Sequence, residues 1–448
     1  MRKSKDVRPP SDIKPFAQTP LNLDVAIVGA GIGGLSAAIA LVRDGHRVTV
    51  YESAAELSEI GAGVQMSPNG VRQWLEWGIG PNLLERSLMP SEMKLRRWKD
   101  GEFLSRTELN PDFERKFGAP YLVLHRADLH SVLLKHAVKL GVKVRVGSRV
   151  IEYDFDTPTI KLVNGEVVQP GLVVAVDGIN SFARSQFSKF PYRGPQKTGV
   201  AAYRLMADIA DLKADPETAW IVSSTDLNLW VGNNCSAMSY MICNGKYLNL
   251  VLSHPDATDT SNKSQQELTE EMLSYFHDWD PVLMKIVEKK KTIQNWPLFE
   301  VDPLDKWASD SGKFIVIGDA AHAMVPYLSM GVSMAVEDAA ALAKALSYMK
   351  DRSDLLPALQ LVEKLRIPRT KRVQEASFSN GQVLHLCDGP SQRQRDAALN
   401  PSAEGKLLDN SPYGLNDPKT QAWCYGYNVV RDVEDYVRSG GFRVNSHP

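Results

Sequence analysis

Residues 23–52 read LDVAIVGAGIGGLSAAIALVRDGHRVTVYE, and the order of apolar, glycine and charged positions in this stretch decides the fold. An apolar run through Val28 gives way to Gly29-Ala30-Gly31-Ile32-Gly33-Gly34, after which apolar residues recur at helical spacing over 35–43. Residues 25–42 carry no charge and could imitate a membrane span, but each central glycine costs a helix roughly 1 kcal/mol relative to alanine. The pattern therefore predicts a strand over 23–28, a glycine turn, a helix over 35–43 and a second strand over 46–51 that ends at Glu52. In this βαβ context Gly29 permits the tight turn, Gly31 lets backbone approach a pyrophosphate, and Gly34 allows the helix to pack closely on the strand. The helix N-terminus faces the phosphates. Glu52 is placed to accept hydrogen bonds from the ribose hydroxyls of an adenosine and to repel a 2′-phosphate, which disfavours NADP here. The motif by itself fits FAD or NAD.

The rest of the composition narrows the field. With 448 residues and 43% hydrophobic content, the chain is long enough for two or three domains. Its 52 basic and 53 acidic residues give no reason to expect nucleic acid or an acidic membrane as partner. Cys235, Cys243, Cys387 and Cys424 lack metal-ligand spacing and disulfide density. They predict reduced thiols in a cytoplasmic protein without a metal site. Residues 1–22 are basic and proline-rich without an apolar stretch, and predict a disordered tail.

Two more strand-to-loop motifs follow. Residues 172–176 run into Asp177-Gly178-Ile179-Asn180-Ser181-Phe182-Ala183-Arg184, and residues 314–317 into Gly318-Asp319-Ala320-Ala321-His322. With the glycine fingerprint before them, in this order, the chain resembles the FAD-dependent aromatic hydroxylases (group A flavoprotein monooxygenases), in a salicylate-hydroxylase-like, fungal-type form. The resemblance runs from residue 23 to about 349. It implies an α/β fold: a Rossmann-like FAD-binding domain in two parts, 23–190 and 299–349. A mostly antiparallel β-sheet substrate domain is inserted at 191–298, and a C-terminal helical segment and wrap occupies 350–448.

The resemblance also implies roles. Asp319 would bind a ribityl hydroxyl, Arg126 would contact FAD, and Asp177 would serve both FAD and a transient nicotinamide cofactor, with Arg184 nearby. The stretch 60–69, with Gly63, resembles the family's segment beside the isoalloxazine. A helix predicted over 332–347 would present the amides of Gly331 and Val332 to the N1–C2=O edge of reduced flavin. Where the family usually carries Gln in the preceding tripeptide, this chain has Met330. Structural alternatives stand beside these roles: an Asx turn for Asp177 and a surface salt bridge for Arg126; His322, tempting for proton chemistry, reads as a hydrogen-bonded scaffold residue.

Short β-rich runs at 199–206, 220–222, 227–231, 237–243 and 247–253 predict the inserted sheet, covered by a helix over 265–279. On it, Arg204 and Tyr240 resemble the Arg/Tyr pair at which fungal phenol hydroxylases hold substrate, and they are the candidate catalytic residues. The alternative is two strand residues satisfying each other. Residues 354–385 predict a helix, 387–421 an extended wrap and 423–436 a packed tail.

A single G-x-G-x-x-G suits a family whose flavin is reduced by a visiting NADH or NADPH. The implied activity is insertion of oxygen from O2 into a phenolic or other electron-rich ring through a C4a-hydroperoxide. The partners would be a small aromatic substrate and O2, and the chain a monomer or homodimer. An indole epoxidase, a flavin oxidase or dehydrogenase, an NAD-dependent dehydrogenase and a noncatalytic FAD-binding protein are the rival readings.

Overall fold

The computed structural model describes residues 21–57, 62–188, 192–406, 408 and 410–442. The tail predicted at 1–22 falls almost wholly outside them, as do Ile60, Gly61 and the predicted boundary at 190/191. The βαβ unit forms as strand Asp24–Val28, helix Ile32–Arg43 and strand Arg47–Tyr51. These strands belong to a five-stranded parallel sheet in the order Phe314–Val316, Leu172–Ala175, Asp24–Val28, Arg47–Tyr51, Lys143–Arg145. Ile27, Val174 and Ile315 are fully buried, as strands covered on both faces require. Because neighbouring strands run the same way, the three motif loops leave the sheet side by side at its carboxyl edge, where ligands bind in such sheets.

The second layer is a seven-stranded sheet in the order Lys290–Glu300, Gln196–Asp208, Tyr247–Pro255, Cys235–Ile242, Leu227–Gly232, Glu92–Arg97, Phe103–Glu108. Its pairings are antiparallel except that of Leu227–Gly232 with Glu92–Arg97. Two of its strands thus come from residues 92–108, ahead of the insertion predicted at 191–298. Alternation sorts its side chains. Tyr203, Leu205, Leu250 and Leu252 bury one face with Met272 and Phe276 of the helix Gln265–Phe276. Register places Arg204, Met206, Met238, Tyr240 and Asn249 on the other face, toward the cofactor part.

Two local expectations fail. Residues 220–222 lie in a 3-10 turn, Ala219–Val222, because the Thr218 hydroxyl donates to the Leu212 carbonyl (2.8 Å) and folds the run back. Within 387–421 the helix Pro390–Ala403 replaces an extended wrap. Its buried face is largely polar (Gln392, Arg395, Asp396, Leu399, Ser402), so hydropathy gave no helical signal. Arg395 reaches the Val383 carbonyl at 3.0 Å, satisfying a buried charge by hydrogen bonding. The helix Leu355–Leu384 matches its prediction. Among the described residues no helix is long and apolar enough to cross a membrane.

Candidate active site

The motif loops meet at one point. A Cβ on Gly33 would lie 3.1 Å from Val176 Cγ1 and 3.2 Å from Ala335 Cβ, and one on Gly318 would lie 3.3 and 3.4 Å from the same atoms. The first glycine turn, the strand end before Asp177, the turn before Asp319 and the helix Gly331–Leu346 therefore pack around a shared contact. Arg184, buried at 4% exposure, ties them together. It donates to the carbonyls of Ala320 (3.3 Å), Ala321 (3.0 Å) and Asp302.

The glycines divide into those that backbone fills and those that face open space. At Gly29, whose φ is +106°, a Cβ would stand 2.4 Å from the Val176 carbonyl oxygen, and at Gly34 one would stand 2.0 Å from the Gly29 oxygen. Among the described residues, a Cβ at Gly31 or at Gly331 would meet nothing within 4 Å. Gly31 caps the helix Ile32–Arg43 and Gly331 begins Gly331–Leu346. Neither helix has a side-chain cap or an acidic residue in its first turn, whereas the outer helix Gln265–Phe276 carries a full capping box from Ser264. Two helix starts thus keep amides free for a ligand. The first suits a pyrophosphate; the second, with Gly331 and Val332, suits the electron-rich edge of a flavin.

Carboxylates flank this space. Glu52 accepts hydrogen bonds from the amides of Ala30 and Ala54, both at 2.8 Å, which fixes it against the first glycine turn. Asp319 is exposed at the first position of the short helix Asp319–His322. This set of groups fits FAD: helix-start amides for phosphates, a fixed carboxylate at Glu52 and an open one at Asp319 for sugar hydroxyls. Asp177 is engaged locally, accepting from the Ser181 hydroxyl and the Ala183 amide (3.0 Å), so its side chain closes the turn that presents Arg184. Burial pushes its pKa up. Arg126 heads the helix Arg126–Lys139, and its amide donates to the Ala62 carbonyl at 2.9 Å. His322, 1% exposed, sits 2.6 Å from Asp338 Oδ2, which makes it scaffold.

Across the site lies the sheet face. Tyr240 is 3% exposed and fills the space beside Gly63, whose amide donates to Asn249 Oδ1 at 3.3 Å. Gln65 Oε1 accepts from the Tyr121 hydroxyl (2.7 Å) and the Ser329 hydroxyl (3.2 Å), and its side chain also bonds Tyr240. Burial pushes the Tyr240 pKa up to about 12 against the pull of Arg204. Arg204 stacks over the Trp296 ring at 5.0 Å. Among the described residues its guanidinium has no ion pair, and its buried Nε has no hydrogen-bond partner. Burial lowers its pKa, Tyr240 opposes this, and the charge of Arg126 adds to the lowering. Two cations therefore bias the same region.

The structure thus brings Arg204, Tyr240 and Gly63 together, and adds residues that sequence reasoning did not single out. Gln65 stood inside the stretch 60–69, but nothing marked it as the side chain joining three hydroxyls. Trp296 arrives through strand pairing and Tyr121 through the Asn110 side chain that holds its backbone, and neither carries a local signal.

The description FAD binding domain matches residues 22–356. The FAD-dependent monooxygenase OpS4 of Beauveria bassiana (strain ARSEF 2860) is 34% identical over 419 residues, covering 93% of this chain and 97% of its own. A 3-hydroxybenzoate 6-hydroxylase of Polaromonas naphthalenivorans (strain CJ2) is 31% identical over 418 residues, 92% of this chain and 98% of its own. Among solved structures, a salicylate hydroxylase substrate complex aligns with a TM-score of 0.73 at 21% identity, over 92% of this chain and 97% of that one, a likeness of fold. Fingerprint, paired helix starts and full-length relatives agree, and the chain belongs to the FAD-dependent monooxygenases of the aromatic-hydroxylase family.

Proposed function

We propose that this monooxygenase hydroxylates an aromatic ring bearing a phenolate or carboxylate, a hydroxybenzoate-type substrate, using NADH or NADPH and O2. The observation that carries the proposal is Arg204, a half-buried guanidinium that among the described residues has no carboxylate partner, facing Tyr240 on the wall opposite the cofactor. A partly buried charge held without an ion pair is costly, and an anionic ligand supplies what the protein withholds. The name of the Polaromonas relative favours the same substrate class.

In this reading one oxygen atom of O2 replaces a ring hydrogen as hydroxyl, the other leaves as water, and NAD(P)H supplies two electrons. Bound FAD supplies the electron transfer and oxygen activation. Arg204 holds the anionic oxygen and sets the ring's orientation. Tyr240, still protonated near neutral pH, donates a hydrogen bond to the substrate oxygen, and Gln65 fixes that hydroxyl. Met206 and Met238 on the same face keep water from the reacting ring.

The test is NAD(P)H oxidation against hydroxybenzoates, phenols and indoles under isotopically labelled O2, followed by product mass. A substrate that stimulates oxidation and gains one labelled atom is the expected result. Substrate consumed and oxidised with no label in the product would instead support an oxidase or dehydrogenase reaction. An indole product would move the substrate class.

A further inference from the structure

Along the strand Gln196–Asp208, Val200 lies on the same face as Arg204, four residues away, about 13 Å at the usual strand rise. At Val200 that face borders a cleft of about 310 Å³, closed on the other side by Val325 and Tyr327 and by Phe378, Gly381 and His385 at the end of the helix Leu355–Leu384. The cleft opens outward at Phe378, which is 44% exposed. Inward, Tyr327 is two residues from Ser329, whose hydroxyl bonds Gln65 beside Tyr240. The cleft and the Arg204 site therefore share one strand and one loop.

Its walls are built for a neutral occupant. None of the described residues lining it is Asp, Glu, Lys or Arg. His385 Nε2 lies 2.9 Å from the Ser236 hydroxyl, and burial lowers its pKa to about 4, so the imidazole is neutral at physiological pH. Gly381 is small for a local reason: a Cβ there would stand 2.5 Å from Tyr327 Cδ2. A glycine inside a long helix costs roughly 1 kcal/mol, and here it lets the tyrosine ring lie against the helix and form the cleft wall.

We infer that the cleft holds a neutral arm of the substrate, aromatic or aliphatic with a hydrogen-bonding group, attached to the ring that Arg204 orients. The inference rests on the aromatic-hydroxylase reading and makes its substrate class more specific: a two-part molecule spanning about 13 Å rather than a lone ring.

Holoenzyme binding of resorcinol and of N-(3-hydroxyphenyl)benzamide, followed by perturbation of the bound flavin spectrum, tests it. The benzamide should bind at least tenfold more tightly. Val200→Trp, which fills the cleft, should abolish that advantage while leaving resorcinol affinity within about twofold. Phe378→Ala, at an exposed position, should reduce the advantage from the opposite wall and covers the case in which the tryptophan disturbs the strand. Equal affinities in the wild type, or an advantage that survives both substitutions, would overturn the inference. Oxygen insertion into resorcinol separates the two readings. Hydroxylation with no gain from the arm refutes the cleft alone, whereas FAD-loaded protein that neither binds nor hydroxylates either phenol refutes both.

Discussion

Tyr240 occupies the space that a side chain at Gly63 would need: a Cβ at Gly63 would stand 2.5 Å from its hydroxyl oxygen and from Cε2. The tyrosine of the opposite wall packs directly against this glycine. Gly63→Ala should therefore destabilise the protein by about 1–3 kcal/mol, the usual penalty for overpacking. In a Tyr240→Ala background the same substitution should cost less than about 0.5 kcal/mol, because the clash is gone. Urea unfolding of the four proteins measures this. Equal costs in both backgrounds would disconnect the two residues.

Arg204→Ala should leave FAD bound, since the two helix starts, Glu52 and Asp319 that would hold the dinucleotide lie on other elements. It should raise KM for a hydroxybenzoate by about 30-fold or more, within the 2–5 kcal/mol typical of losing one partner from a buried charge pair. A misoriented ring should also divert NAD(P)H oxidation to hydrogen peroxide. Peroxide yield and KM are the measurements, and wild-type values for both would remove Arg204 from the site.

For Tyr240 the pH dependence follows from the direction of its shift. Burial raises its pKa from 10.0 to about 12, so the hydroxyl stays protonated throughout pH 6–9. Any ionisation seen in that window belongs to another group, the substrate phenol first. Tyr240→Phe should then lower kcat without displacing either limb of the pH–rate profile between pH 6 and 9. A limb that vanishes in the variant would show that Tyr240 itself titrates there.

Glu52→Ala and Asp319→Ala should each raise the FAD dissociation constant about tenfold or more, as expected for a charged hydrogen bond worth about 1.5–3 kcal/mol. Equilibrium dialysis of the apoprotein with FAD would check this. Unchanged retention would mean that the amides of the two helix starts suffice.

What was legible in the sequence was whatever a few adjacent residues determine. Gly29, Gly31 and Gly34 announce a turn because backbone geometry admits little else there, and the strands before Asp177 and Asp319 are short apolar runs that a two-sided parallel sheet requires. What escaped depends on distant partners. Strands 92–97 and 103–108 join the substrate sheet through a parallel pairing with Leu227–Gly232 that no local pattern encodes. The helix Pro390–Ala403 hides because its buried face is satisfied by hydrogen bonds rather than by apolar area. Gln65 becomes central only when Tyr121, Ser329 and Tyr240 converge on it.

The same distance effect conceals Asp338, which couples two parts of the cofactor cradle. Its Oδ2 lies 2.6 Å from His322 Nε2 and accepts from the Gly318 amide at 2.9 Å, while Oδ1 accepts from Arg366 Nε at 2.7 Å. The carboxylate thus holds the turn before Asp319 against the helix that begins at Gly331. Burial alone would raise its pKa, but the charges of His322 and Arg366 outweigh burial and bring it from 3.8 down to about 2. A carboxyl whose folded pKa is depressed stabilises the protein above its unfolded pKa, and that contribution disappears as pH falls from about 4 through 2. Asp338→Asn should cost about 3–5 kcal/mol, because Arg366 and His322 lose a buried anionic partner. It should also flatten the rise of unfolding free energy with pH on the acid side and loosen FAD, with Arg204 and Tyr240 untouched. Urea unfolding between pH 2 and 7, with and without FAD, reads all three effects. A variant with the wild-type acid slope would show that Asp338 does not carry the coupling.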